Sequence, residues 1–187
     1  LGKGLRDFAF CGFDDMFWSR ERCAGFCDRI AQRGFTVSVY CQPKSKKDRV
    51  WENEKPIIRD WIVSLPKPVG LMCCIDERSD HVVEVCKMEG IHIPDEIAVI
   101  GVDNDEMICE LSTPPLSSVS FNADGIGYQA AKMLDELMKG QIHPDKEELV
   151  ASPSHVVQRQ STDITAIKDP DIMEAISFIR KNAGKPI

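Results

Sequence analysis

Three short, unbroken apolar runs constrain this chain most: Phe8 to Cys11, Val69 to Ile75 and Ile97 to Val102. A strand with one wet face alternates polar and apolar residues, whereas continuous apolar strands are buried on both faces. Between the runs lie segments with apolar residues at three- and four-residue steps. Cys23, Phe26, Cys27 and Ile30 mark a helix over Ser19 to Arg33 that Gly34 closes. Ile57, Ile58, Trp61, Ile62 and Leu65 mark a second, stopped by Pro66 and Pro68, with Trp51 opening it; Ser79 to Glu89 is a third, closed by Gly90. Phe35 to Cys41, rich in β-branched and aromatic residues, adds a strand. Buried strands alternating with amphipathic helices predict an α/β fold, a doubly wound parallel sheet covered on both faces.

The pattern then changes. Leu116 to Phe121 reads as a strand, Ala123 to Lys139 as a helix bounded by Gly140, and Leu149 to Gln158 as an extended stretch interrupted by Pro153. Asp169-Pro170 starts a further helix, with Ile172, Ile176 and Ile179 on one side.

Charge and cysteine usage narrow the function. A net charge of -7 argues against nucleic-acid binding by these residues themselves, because phosphate contacts need a basic face. It leaves room for an attached DNA-binding module. The eight cysteines are scattered through apolar runs and helices, as small hydrophobes in a reducing compartment would be. Cys23 and Cys27 are one helical turn apart, but no second Cys or His pair follows at metal-site spacing. No metal or cofactor is expected. With no membrane-spanning stretch and no signal peptide, a cytoplasmic location is expected.

In open parallel sheets ligands collect at the carboxyl ends of the strands. Those ends carry Asp14 and Asp15, then Asp76, then Asp103, Asn104 and Asp105; Arg20 and Arg22 open the first helix and Trp51 the second. Carboxylates, a guanidinium and an aromatic face are what a polyol needs: paired acceptors, a forked donor and a surface for the C–H face of the ring. Each residue alone has a plainer role: Asp103 as a turn cap, Arg22 on a solvated helix face, Trp51 as packing, Asp76 as a helix N-terminal carboxylate. Paired carboxylates also serve glycosidases. However, no nucleophile elbow, phosphate loop or dinucleotide fingerprint is present, so no catalytic residue is assigned.

Ile93-Pro94-Asp95-Glu96-Ile97-Ala98-Val99-Ile100-Gly101-Val102-Asp103-Asn104, followed by Pro114-Pro115-Leu116-Ser117-Ser118-Val119, resembles the effector domain of the lactose/galactose-repressor family. Arg22-Cys23-Ala24-Gly25-Phe26, Gly127-Tyr128-Gln129-Ala130-Ala131 and Gln158-Arg159-Gln160-Ser161-Thr162 continue the pattern in order. The tail from Ser161 through Asp169-Pro170 to Arg180 is similar to the entry into an arabinose-regulator-type helix-turn-helix domain. A repressor-like sensor feeding that domain is the arrangement of the family's xylose-regulator branch.

The resemblance implies a periplasmic-binding-protein-like type I fold, mainly its C-terminal lobe. Residues 1–163 would form the sugar-sensing domain, with 117–140 crossing to an N-terminal lobe upstream; 164–187 would be a linker and the first helix of the DNA-binding domain. It implies a sugar effector, D-xylose in that branch, held by Arg22, Trp51, Asp76 and Asp103. DNA contact would come through the appended domain, with no membrane association, in a homodimer. A helix over Ala123 to Lys139 without its usual partner would pack on another copy, fold back or be poorly ordered. Two alternatives stay open: a periplasmic sugar-binding protein for transport and an α/β enzyme acting on a small carbohydrate.

Overall fold

The computed structural model describes residues 4–141 and 152–164, together with the helical residues Ile172, Ala175, Phe178, Ile179 and Asn182 of the tail. The element order is β1 (Asp7–Cys11), α1 (Phe17–Ala31), β2 (Val37–Val39), α2 (Trp51–Ser64), β3 (Val69–Cys73), α3 (Asp76–Glu89), β4 (Ile97–Asp103), α4 (Glu106–Leu111), β5 (Ser117–Phe121), α5 (Ala123–Met138) and β6 (Pro153–Val157). The strands form one sheet in the order β2-β1-β3-β4-β5-β6. Strands β1 to β5 are parallel, and β6 closes the edge antiparallel to β5.

This order reverses direction between β1 and β3, and the reversal decides which helix covers which face. The chain moves outward from β1 to β2 and then back past β1 to β3. Right-handed crossovers therefore put α1 on one face and α2 and α3 on the other. Burial follows the two-residue period of the strands. Ala9, Cys11, Leu71, Cys73 and Val99 pack with Ile58 and Ile62 of α2 and Val82, Val83 and Cys86 of α3. Leu5, Phe8 and Ala98 face the opposite way, toward Ile30 of α1 and Ile164. All eight cysteines are free; five are buried, Cys23 and Cys27 are half-buried with Sγ atoms 3.9 Å apart, and Cys41 is exposed.

Several boundaries shift from the expectation. Strand β2 is confined to Val37–Val39, though the Tyr40 N–H still donates to the Phe10 carbonyl. Helix α2 begins at Trp51 as expected, with Pro56 inside it, whereas α3 begins at Asp76, three residues before the expected Ser79. Helix α4 has no counterpart in the reading of the sequence. At six residues it is too short to show a period, and only its cap, Asp105 accepting from the Met107 and Ile108 N–H groups, marks it.

Of the three outcomes expected for Ala123 to Lys139, two are not met: folding back and poor order. Helix α5 is regular, capped by Asn122 accepting from the Gly125 N–H, and none of its residues is buried. Tyr128, Leu134 and Met138 stand exposed, so the helix does not fold back on the sheet. The tail helix expected from Asp169-Pro170 and the domain boundary at 164 fall mostly outside the described residues.

A crossing of hydroxyls fixes the root of the β5–α5–β6 arm. Ser161 Oγ donates to the Val99 carbonyl at 2.7 Å and accepts the Ser117 N–H at 2.8 Å, fully buried. Ser161→Ala leaves two buried backbone groups without partners. Chemical denaturation should show a loss of about 1–3 kcal/mol; an unchanged midpoint would mean this crossing is not structural.

Candidate functional site

The carboxyl ends of β1, β3 and β4 meet at one rim, beside the topological switch point where open α/β sheets bind ligands. Arg22, on the second turn of α1, reaches across it. Its Nη1 donates to the Cys74 carbonyl just past β3 (2.6 Å), and its Nη2 to Asp103 Oδ1 at the end of β4 (3.1 Å). The guanidinium lies over the rings of Trp18 (5.2 Å) and Phe121 (5.4 Å). One side chain thus ties three strand ends together and carries aromatic surface on its flanks. Asp103 keeps 48% of its side chain exposed, enough to accept from an incoming hydroxyl as well as from Arg22.

The backbone beneath this pair is unusual. Asp103 and Asn104 both have positive φ, 103° and 55°, a region rare for non-glycine residues that Asp and Asn enter more readily than others and that local hydrogen bonds hold. The Asn104 N–H donates to Ser118 Oγ (3.0 Å), and the Asp105 N–H to Asp76 Oδ2 (2.8 Å). Asp76 Oδ1 also accepts from the Ser118 hydroxyl (2.6 Å), so Asp76 and Ser118 form one cradle under the turn.

Asp76 is therefore buried, at 2% exposure, with both oxygens engaged. Burial pushes its carboxyl up, and the hydrogen bonds from Ser118 and the Asp105 backbone only partly offset this. Trp51, at the N-terminus of α2, is half-buried and stacks on His81 at 4.0 Å between ring centres, with Lys55 above its ring at 5.6 Å. Of the four residues expected to line the site, Arg22 and Asp103 are brought into contact. Asp76 sits directly below them, and Trp51 belongs to a separate stack between α2 and α3.

On the β1 side, Asp14 exchanges two hydrogen bonds with Gln42: Asp14 N–H to Gln42 Oε1 (3.0 Å) and Gln42 N–H to Asp14 Oδ2 (2.8 Å). Gln42 Nε2 passes on to Glu54, which pairs in the interior with Arg78. The flanking aromatics Phe13, Trp18 and Phe121 and the cradle residue Ser118 were not assigned from the sequence. The available signal was their position next to strand ends.

Comparison with known proteins agrees with this architecture. A family model described as a periplasmic binding protein-like domain matches residues 1–162. The chain is 34% identical to the xylose operon regulatory protein of Escherichia coli strain K12, over 99% of this chain and 47% of that protein. It is also 34% identical to the protein of the same name from Haemophilus influenzae, over 97% of this chain and 47% of that one. The chain thus spans about half the length of these curated relatives. Among solved structures, a xylose-binding transcription activator superposes with a TM-score of 0.83 at 33% identity, over all of this chain and 49% of that one. The lac repressor dimer bound to operator shares the fold, with a TM-score of 0.66 at 17% identity. The resemblance read from the sequence and the doubly wound fold it implied both hold, and the chain belongs to the family of periplasmic binding protein-like domains.

Proposed function

We propose that the chain is the sugar-sensing part of a DNA-binding transcription regulator of sugar-catabolism genes, with D-xylose as effector. The observation that carries the reading is the Arg22–Asp103 pair, set among Trp18 and Phe121 at the ligand-binding end of the sheet. A pyranose has vicinal hydroxyls for the carboxylate, an oxygen for the guanidinium and C–H faces for the rings. Xylose in particular rests on the similarity to regulators whose names specify that sugar.

In this reading Arg22 and Asp103 contact the sugar directly. Asp76 holds the Asp103 turn from below, and Trp51, stacked on His81, lies outside this contact set. Residues 1–163 act as the sensing domain; within 117–140, β5 stays in the sheet and α5 crosses to a second lobe, and 164–187 lead into the DNA-binding domain. The protein works as a cytoplasmic homodimer, and sugar binding changes DNA affinity through a shift between global states that bind the sugar differently. It performs no catalysis.

The test is calorimetric titration of D-xylose into the full-length protein and its Asp103→Ala variant. The parent should bind saturably. The variant should bind roughly 10- to 100-fold more weakly, matching the loss of about 1.5–3 kcal/mol for hydrogen bonds to a charged group. Binding of another pentose or hexose in place of xylose would change the effector. Heat from no sugar would overturn the reading.

A further inference from the structure

The Asp103–Asn104 turn is gripped from two sides, and only one of them lies on the rim of the proposed sugar site. Arg22 holds Asp103 on the rim. On the other side Arg159, two residues beyond the end of β6, donates from Nη1 to Asn104 Oδ1 (3.0 Å) and to the Leu116 carbonyl just before β5 (2.9 Å). Its Nε donates to Glu110 Oε1 on α4 (2.7 Å), and the side chain is only 11% exposed. The backbone of Arg159 is equally committed: its N–H donates to Ser117 Oγ (2.8 Å), and Ser117 Oγ donates to its carbonyl (3.0 Å). Arg159 therefore sits where both strands of the β5–α5–β6 arm join the body, and it bonds the turn that carries the proposed sugar contact.

The arm itself is lightly held. No residue of α5 is buried, so among the described residues the arm is fixed to the sheet through β5, β6 and the segment after β6. The turn has few ways to move. Asp103 and Asn104 are consecutive non-glycine residues at positive φ, so the turn is held by its hydrogen bonds, and Asn104 is bonded to both β5 and Arg159. Asn104 Oδ1 has the Arg159 guanidinium as its partner, and a guanidinium is a rigid fork: shifting one hydrogen bond re-aims the others.

We propose that Arg159 is a positioning residue that couples occupation of the sugar site to the orientation of the β5–α5–β6 arm, through Asn104. The proposal rests on the sensor reading above for the identity of the ligand; the linkage from turn to arm rests on the geometry alone. Arg159 does not touch the sugar. It transmits a change in the Asp103–Asn104 turn to the strands from which the arm projects.

The test separates binding from response in the full-length protein. Arg159→Met and Arg159→Lys are compared with the parent for D-xylose affinity and for the ratio of DNA affinity with and without sugar. Arg159→Met should bind xylose nearly as the parent does, while that ratio collapses toward one from the about 5- to 150-fold typical of linked sites. Arg159→Lys, which keeps one donor, should recover part of it. A structural role alone would lower affinity and melting temperature together and leave the ratio intact, and that result overturns the proposal. A second measurement needs no effector: amide exchange at Ser118 to Phe121. Asp103→Ala should change exchange there in the parent and change it clearly less in the Arg159→Met background, the remainder passing through the Asn104–Ser118 hydrogen bond and the β4–β5 pairing. Equal effects in both backgrounds would overturn the coupling. If the parent binds no xylose, the sensor reading fails while the exchange cycle still decides the coupling.

Discussion

Glu54→Ala is expected to cost about 3–5 kcal/mol of folding stability, the range for removing one partner of a buried ion pair. Arg78 and Glu54 are both essentially inaccessible, and Arg78 donates through Nη1 to Oε2 (3.0 Å) and through Nη2 to Oε1 (2.7 Å). Oε1 also accepts from the Tyr40 hydroxyl and Gln42 Nε2, both at 3.1 Å. The guanidinium is flanked by Phe13 at 4.8 Å and Tyr40 at 5.3 Å, and its Nε has no hydrogen-bond partner among the described residues. Removing the carboxylate would strand a charge that cannot be neutralised at ordinary pH, together with two further donors.

Urea denaturation of Glu54→Ala against the parent checks this, and pH provides a signature. Burial pushes the Glu54 carboxyl up, but the hydrogen bonds and charge of Arg78, aided by Gln42 and Tyr40, outweigh it and leave the group below its ordinary value. A carboxylate lowered in the folded state stabilises fully above its unfolded pKa, near 4.3 for Glu. That stability is lost as pH falls through the lowered folded value. The parent should therefore lose stability on acidification in a window that the variant lacks. A loss below about 1 kcal/mol would show that the interior tolerates an unpaired Arg78, contrary to the cost of an uncompensated buried charge.

This pair also shows where reading the sequence runs out. Glu54 and Arg78 lie in polar first turns, Trp51 to Glu54 and Asp76 to Arg78, which resemble solvated helix ends. Their partnership spans 24 residues and exists only because α2 and α3 lie side by side on one sheet face. By contrast, β1, β3 and β4 were legible because burial on both faces forces continuous apolar runs. Arg22 and Asp103 were legible as residues at strand and helix ends, within motifs of a known family. Their contact, bridging 81 residues, was not. The rim position of Asp76 could be read, but its burial could not, because that depends on a gap in β4 that only the folded sheet reveals.

That gap is Gly101, and Gly101→Ala is expected to damage stability and sugar binding together. A Cβ at this position would lie 2.1 Å from Asp76 Oδ1 and 2.8 Å from Ser79 Oγ, so the carboxylate has to leave. Overpacking of this kind costs about 1–3 kcal/mol, and the hydrogen bonds Asp76 makes with Ser118 and the Asp105 N–H add about 1 kcal/mol. Thermal and urea unfolding should show a combined loss of about 2–4 kcal/mol. Without Asp76 the Ser118 hydroxyl is no longer oriented to receive the Asn104 N–H, and the Asp103 turn loses both supports. Sugar affinity should then fall by roughly tenfold in the variant that remains folded, as one hydrogen bond to a charged group is misaligned. Gly25→Ala is the control, because a Cβ there meets nothing within 4 Å and the site is helical; its stability should hold or rise by about 0.5–1 kcal/mol. If Gly101→Ala unfolds more easily but binds sugar like the parent, Asp76 supports the fold alone and the cradle under Asp103 has no part in recognition. If affinity falls as well, a residue too buried to touch the ligand sets how well the rim holds it.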